Sequence, residues 1–238
     1  MKTYRKTATI VGVLYIIGTV AGVLSVIFTG PVLDTSDYLA RVAANPNQLT
    51  IGALLVLLMA LALAMVPVTL FPILRKINEV LAVGYVVFRG ALETIGAIFT
   101  VITWLFLSTL GRAYVAAGVP GPSDFQTLGS LLKDGGDPLG AIAGIIFGLG
   151  ALMLYYLLYQ SKLIPRWISV WGVLAITMNL ATNLLILFRL QSSFDTINTV
   201  MNFPIFLQEM VMAVWLIARG FNPAAIASLS AKTATSAS

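Results

Sequence analysis

The sequence predicts an all-α, polytopic membrane protein: a bundle of six transmembrane helices with two short interfacial helices in its outer loops. Hydrophobic residues make up 59% of the 238-residue chain and charged residues only 10%, whereas about 25% of residues are charged in an ordinary globular protein. The mean hydropathy is +0.96. So few charged side chains cannot cover the surface of a soluble domain of this length.

Six apolar stretches are long enough to cross a bilayer, which takes about 20 residues at roughly 1.5 Å of rise each. The first follows a short basic segment that resembles the start of a signal peptide. Its apolar run is too long for a signal peptide and lacks a convincing cleavage site, so we interpret it as a retained helix. The predicted spans are residues 9–29, 50–74, 80–107, 139–159, 165–188 and 198–218.

The charges of the connecting segments alternate along the chain. With the N-terminus placed inside, the cytoplasmic segments hold nine Lys and Arg residues and one acid, and the outer segments hold four cations and all six aspartates. Cytoplasmic loops of membrane proteins are enriched in Lys and Arg, so we expect both termini to be cytoplasmic and the protein to lie in the cytoplasmic membrane. The basic residues form no cluster typical of a nucleic-acid partner, and the lipid bilayer is the expected one.

The outer loops carry helix signals of their own. In the first, residues 34–37 can cap a short helix that residues 45–46 would end. In the 109–138 loop, residues 123–124 can open a second short helix that residues 135–136, both glycine, would stop. We expect both helices to lie on the membrane surface as lids over the bundle, or to form a docking site for a soluble partner.

Two further predictions concern the sixth span and the tail. Pro204 should kink the sixth helix without starting it, because a helix that began there would be only about 22 Å long. Residues 1–221 would then form the six-helix transmembrane domain. Residues 222–238, which are rich in Ala, Ser and Thr, are predicted to be a disordered cytoplasmic tail.

Gly140, Gly144 and Gly148 repeat along one face of the predicted fourth helix. Small residues let helix backbones approach closely inside a membrane. The pattern indicates either close packing within the monomer or the face of a homodimer.

Three ionisable residues fall inside the predicted spans: Arg89, Glu93 and Glu209. Charge is costly in hydrocarbon, so such residues usually face the bundle interior and pair with one another. Arg89 and Glu93 are four residues apart and share a helix face. Arg89 and Glu209 each lie roughly 14 Å from the inner end of their helix, so they can pair. The polar side chains predicted to complete this site are Gln208, Asn179, Asn183 and Tyr15, with Thr94 and Thr177 in its lining.

Three interpretations of the cluster are open. It can line a cavity that binds or passes a small molecule, a lipid or a proton, with Arg89 holding an anionic group and Glu93 or Glu209 changing protonation. This is the leading hypothesis. The alternative is a structural or assembly subunit in which the cluster is a clamp that locks helix packing. Catalysis by the two carboxylates is the third.

The chain contains no Cys and no His. It therefore offers no thiolate nucleophile, no imidazole base and none of the usual transition-metal sites. We expect no catalytic residue, no metal and no cofactor.

Several runs of the sequence resemble a known family. The two most distinctive are GYVVFRGALE at residues 84–93 and LQEMVMAVWLIARGFN at residues 207–222, and residues 12–22, 44–47 and 159–172 also contribute. Together they resemble, over nearly the whole chain, a bacterial integral-membrane family known only as domain of unknown function 4386. The resemblance implies a bacterial cytoplasmic-membrane protein. It implies no activity, ligand or catalytic residue.

Overall fold

The computed structural model describes residues 2–118, 123–191 and 195–235, and these residues are almost entirely helical, with no strand among them. One stretch of the third span has π-helical rather than α-helical geometry. In chain order the elements are α1 (Lys2–Leu33), α2 (Tyr38–Ala44), α3 (Pro46–Leu74), α4 (Glu79–Tyr85), the π segment (Val86–Leu92), α5 (Glu93–Ala116), α6 (Ser123–Ser161), α7 (Arg166–Leu187), α8 (Thr196–Ala218) and α9 (Pro223–Thr235).

Six helical stretches are long and apolar enough to cross a membrane, so the predicted six-helix, multi-pass membrane fold is confirmed. Spans one to six are α1, α3, the continuous 79–116 stretch, α6, α7 and α8. Each predicted span lies within one of these stretches, except that the fifth extends one residue beyond α7 at either end. Because the number of spans is even, α1 begins and α8 ends on the same side. We call this side the terminal end and the other the distal end.

The six spans form a ring in chain order. Each span packs against the next, and span six closes the ring against span one. Small residues allow the close contacts: a Cβ added to Gly12 of α1 would lie only 2.6 Å from the carbonyl oxygen of Ala213 in α8. Spans three and six therefore stand on opposite sides of the ring.

The glycine face of α6 is partly used inside the monomer. A Cβ on Gly144 would meet the Asn183 side chain of α7, and one on Gly148 would meet Leu180 of the same helix, while Gly140 has nothing within 4 Å. Two of the three glycines thus provide close packing of span four on span five. A homodimer through this face stays a prediction.

The distal end carries the first predicted interfacial helix as α2. It packs tightly on span three, where a Cβ on Gly111 would lie 2.8 Å from the carbonyl oxygen of Leu39. Its predicted N-cap, Asp37, makes no capping hydrogen bond and instead pairs with Arg41, with 3.0 Å between Oδ1 and Nε.

The second predicted interfacial helix differs from the prediction, because it is not a separate element. Helix α6 runs unbroken from Ser123 through the two glycines and Pro138 into the membrane. Glycine and proline weaken a helix, but packing routinely overrides propensity. Here Gly129 lies against Tyr38 and Leu39, and the Lys133 ammonium lies 5.0 Å from the Tyr38 ring centroid.

The two predictions about the C-terminal part have different outcomes. Helix α8 begins at Thr196 and continues through Pro204, as expected. The predicted disorder after residue 221 needs correction, because residues 223–235 form α9. This helix starts with a proline, whose φ suits a first turn, the Asn222 side chain accepts a hydrogen bond from the backbone N–H of Ala224, and Ile226 is buried in the core. The last three residues of the predicted tail, 236–238, lie outside the described part.

Candidate functional site

The π segment of span three carries the central residue of the site. A π turn holds more residues than an α turn and is often found at functional positions of helices. Arg89 lies in the middle of the Val86–Leu92 segment and is its buried residue. Regular α geometry resumes at Glu93.

The Arg89 side chain joins two carboxylates from opposite sides of the ring. Its Nη1 donates to both oxygens of Glu93, at 2.8 and 2.9 Å. Its Nη2 donates to Oε1 of Glu209 in α8, at 3.3 Å. The guanidinium also lies 4.4 Å from the ring centroid of Phe147 in α6, a cation–π contact. We call Arg89, Glu93 and Glu209 the ionic cluster.

Charge and burial within the ionic cluster are unequal. The Arg89 side chain is 3% exposed, whereas those of Glu93 and Glu209 are 20% and 13% exposed. One guanidinium facing two ionised carboxylates leaves one excess negative charge. The accessible part of the cluster is therefore its acceptor side.

The ionic cluster lines a cavity of about 440 Å³ at the centre of the ring. All six spans contribute to its walls, and the cavity extends from the cluster toward the distal end, where Gly22, Val56 and Thr100 line it. The walls are mostly small or apolar. The uncharged polar side chains in the lining are Thr19, Thr94, Thr100, Asn179 and Asn202.

Two asparagines on spans five and six add a second polar group to the cavity wall. Nδ2 of Asn179 donates to Oδ1 of Asn202 at 2.6 Å, and Asn202 in turn donates to Oδ1 of Asn198 at 2.7 Å. Within the described part of the chain, the buried Oδ1 of Asn179 accepts no hydrogen bond. An unsatisfied buried acceptor costs about 1–3 kcal/mol, and this oxygen lies beneath the cavity surface.

Buried polar side chains brace the ring on the terminal side of the cavity. The hydroxyls of Tyr15 in α1 and Tyr85 in α4 lie 3.3 Å apart. The Tyr155 hydroxyl of α6 donates to Oε1 of Gln208 at 2.7 Å, and Nε2 of Gln208 donates to the carbonyl oxygen of Ile168 at 3.1 Å. We call these side chains the tyrosine brace. Beyond the brace, apolar core residues pack to the terminal end, among them Leu70, Leu154, Leu158, Ile164 and Leu216.

Four of the seven residues predicted for the site line the cavity, namely Arg89, Glu93, Glu209 and Asn179. The other three do not. Tyr15 and Gln208 belong to the tyrosine brace, and Asn183 donates to the backbone of Asn179 with its side chain against Gly144. Ligand binding by any of them stays a prediction.

Sequence reasoning missed several wall residues, among them Thr19, Thr100, Phe147 and Asn202. Asn202 lies seven residues before Glu209, so both fall on one helix face, and this spacing could have identified it. No polar signal marks Phe147, whose role depends on where Arg89 lies. Among residues 2–118, 123–191 and 195–235, no three His, Cys, Asp or Glu side chains converge as a metal site requires.

No curated protein and no solved structure matches the chain. A protein-family model does match, over residues 10–220, and this match includes spans two to six, span one from residue 10 onward and every residue of the ionic cluster. The description of that family is domain of unknown function (DUF4386), the same family that the sequence resembles. The protein therefore belongs to the DUF4386 family of domains of unknown function.

Proposed function

We propose that this protein binds a small molecule in its central cavity, and that the molecule has an apolar body and a cationic or hydrogen-bond-donating group. The observation that carries the proposal is the cavity of about 440 Å³ with an Arg–Glu–Glu cluster in its wall. Pockets that bind small molecules have this character: mostly apolar walls with a few polar groups that fix orientation.

The charge of the cluster selects the class of ligand. Both terminal nitrogens of Arg89 already donate to carboxylates, so little of the guanidinium is left for an anion. The exposed fractions of Glu93 and Glu209 are acceptors. A cation or a donor complements this surface, whereas an anion would face the excess negative charge.

The proposal is tested with three aromatic probes of similar size and different charge: benzyltrimethylammonium, its neutral carbon isostere neopentylbenzene, and the anion benzenesulfonate. Each is added to the full chain in detergent, and the thermal midpoint is measured. At ten times its Kd a ligand stabilises the folded state by about 1.4 kcal/mol, which corresponds to about 3–6 °C for a chain of this size. We expect this shift for the cation alone.

Glu209→Gln is the matched variant, because it keeps the shape of the side chain and removes the excess negative charge. We expect the variant to lose most of the shift caused by the cation. Asp124→Gln, at the distal start of α6 and outside the cavity lining, is the control and should keep the shift. If benzenesulfonate stabilises the protein more than the cation does, or if Glu209→Gln responds as the unmodified chain does, the proposal is wrong.

A structural role for the cluster is the second candidate. One observation favours it: Arg89 contacts carboxylates on spans three and six, which stand on opposite sides of the ring. A clamp of this kind fixes the relative heights of two helices without any ligand. Under this candidate none of the three probes shifts the thermal midpoint, although Arg89 variants are still destabilised.

We also propose that the terminal end faces the cytoplasm in a bacterial cytoplasmic membrane. The support is the charge distribution, since the connections at the terminal end are rich in Lys and Arg and those at the distal end hold the aspartates. The chain has no cysteine, so an introduced cysteine is its single thiol. In intact cells, a membrane-impermeant maleimide should label Arg112→Cys and spare Lys6→Cys. The reverse pattern would invert the topology.

A further inference from the structure

Two adjoining cavities at the terminal end are lined by cations. The first has a volume of about 400 Å³, and Lys2, Arg5 and Arg219 lie in its walls. The second has a volume of about 460 Å³, and its cations are Lys162, Arg166 and again Arg219. The two cavities share Arg219, Phe221 and Pro223.

Most of these cations have no acidic partner. Arg5 donates to the carbonyl oxygens of Ile217 and Ala218 at the end of α8, at 2.7 and 3.1 Å. The side-chain nitrogens of Lys2, Lys162 and Arg219 make no hydrogen bond or ion pair to any described residue. No Asp or Glu lines either cavity. The site thus concentrates positive charge with nothing in its walls to neutralise it.

The two cavities lie where the apolar spans end, which is the depth at which lipid head groups are expected. Their walls come from the first residues of α1, the turn between spans four and five, and the end of α8, which are all points where a span enters or leaves the membrane. Helix α9 begins at Pro223 in both walls, so the positive end of its dipole adds to the field of the cations. The apolar side chains of Phe221, Ile226 and Trp215 complete the walls.

We propose that these two cavities form a binding site for the phosphate group of an anionic phospholipid in the leaflet at the terminal end. Arg219, which lies in both walls, contacts the phosphate, and the neighbouring cations add to the electrostatic attraction for the anionic head group. The apolar walls contact the upper part of the acyl chains. This site shares no lining residue with the central cavity, so the proposal does not depend on the proposed function.

The test is a titration of the full chain in detergent with dioleoylphosphatidylglycerol, with bound lipid counted by native mass spectrometry. Dioleoylphosphatidylcholine, which has the same acyl chains and no net charge, is the reference. Each cation near an anionic head group contributes a factor of about five in affinity. We therefore expect Arg166→Gln/Arg219→Gln to weaken phosphatidylglycerol binding about 30-fold, and Arg219→Gln alone about five-fold, with no change for phosphatidylcholine.

The matched control is Lys6→Gln/Arg75→Gln, which removes two positive charges from the same end at residues outside both cavities. It should keep tight phosphatidylglycerol binding. An equal loss in this control would mean diffuse surface charge and would overturn the proposal. Equal binding of the two lipids would also overturn it. If inorganic phosphate alone displaces the lipid at matched concentration, the site takes free phosphate and the lipid assignment is wrong.

Discussion

Replacement of Arg89 by lysine separates geometry from charge at the ionic cluster. The guanidinium contacts Glu93 through Nη1 and Glu209 through Nη2, so it reaches two carboxylates with two different nitrogens. A lysine ammonium has three N–H donors but only one nitrogen, which cannot occupy the positions of both Nη1 and Nη2, so at least one of the two contacts is weakened. A hydrogen bond between charged groups contributes about 1.5–3 kcal/mol, and the contact with Phe147 is lost as well.

We therefore expect Arg89→Lys to lower the free energy of unfolding by about 2 kcal/mol, or the thermal midpoint by about 4–8 °C. Arg89→Ala should cost more, about 3–5 kcal/mol, because it leaves two carboxylates without a counter-charge. The assay is thermal unfolding of the detergent-solubilised protein, followed by the fluorescence of its four tryptophans.

Arg112→Lys is the control, because the contact that this exposed arginine makes among the described residues is a long one, 3.5 Å to Thr109. It should change the midpoint by less than about 2 °C, as surface substitutions usually do. If Arg89→Lys changes the midpoint by no more than this, the contacts of the Arg89 guanidinium with Glu93 and Glu209 do not stabilise the ring. A milder effect of Arg89→Ala than of Arg89→Lys would refute the reasoning about unpaired carboxylates.

Three further predictions use the same thermal assay. Gly12→Ala should destabilise the bundle by about 1–3 kcal/mol, because the added Cβ would press on the backbone of span six. Its control is Gly30→Ala on the same helix, which has nothing within 4 Å and should be neutral or stabilising. A larger loss of stability in Gly30→Ala than in Gly12→Ala would contradict the ring packing. Tyr155→Phe should cost about 1–3 kcal/mol, since a buried amide oxygen loses its 2.7 Å donor; an unchanged midpoint would remove the hydroxyl from the brace. Arg41→Gln should change stability by less than about 0.5 kcal/mol, because the ion pair with Asp37 is more than half exposed, and a larger loss would give the distal loop an unexpected structural role.

Hydropathy and depth explain most of what the sequence predicts correctly. Each span is identified by a long apolar run, and the few charged residues inside such runs are expected to pair with one another. Counting residues from the helix ends placed Arg89 and Glu209 at one level, and the two side chains do form an ion pair. The spacing of four did the same for Arg89 and Glu93.

Other features depend on contacts that a single sequence does not display. The π segment has ordinary apolar residues around Arg89, so no composition signal marks the change of helix geometry. The ring order depends on which helix faces meet, and hydropathy along one helix carries no information about its neighbour. The distal part of α6 looks like a stopped helix because of its two glycines. It continues because residues such as Gly129 and Lys133 pack on Tyr38, which lies far away in the sequence.

The tyrosine brace closes the central cavity on its terminal side. A molecule that crossed the membrane through the cavity would have to separate the Tyr15–Tyr85 and Tyr155–Gln208 pairs and then displace the apolar residues beyond them. In this conformation the brace and the apolar core separate the central cavity from the terminal end, so a ligand of the proposed function would enter and leave on the distal side of the brace. Transport across the membrane would need a second conformation in which the rings of Tyr15, Tyr85 and Tyr155 move out of this path.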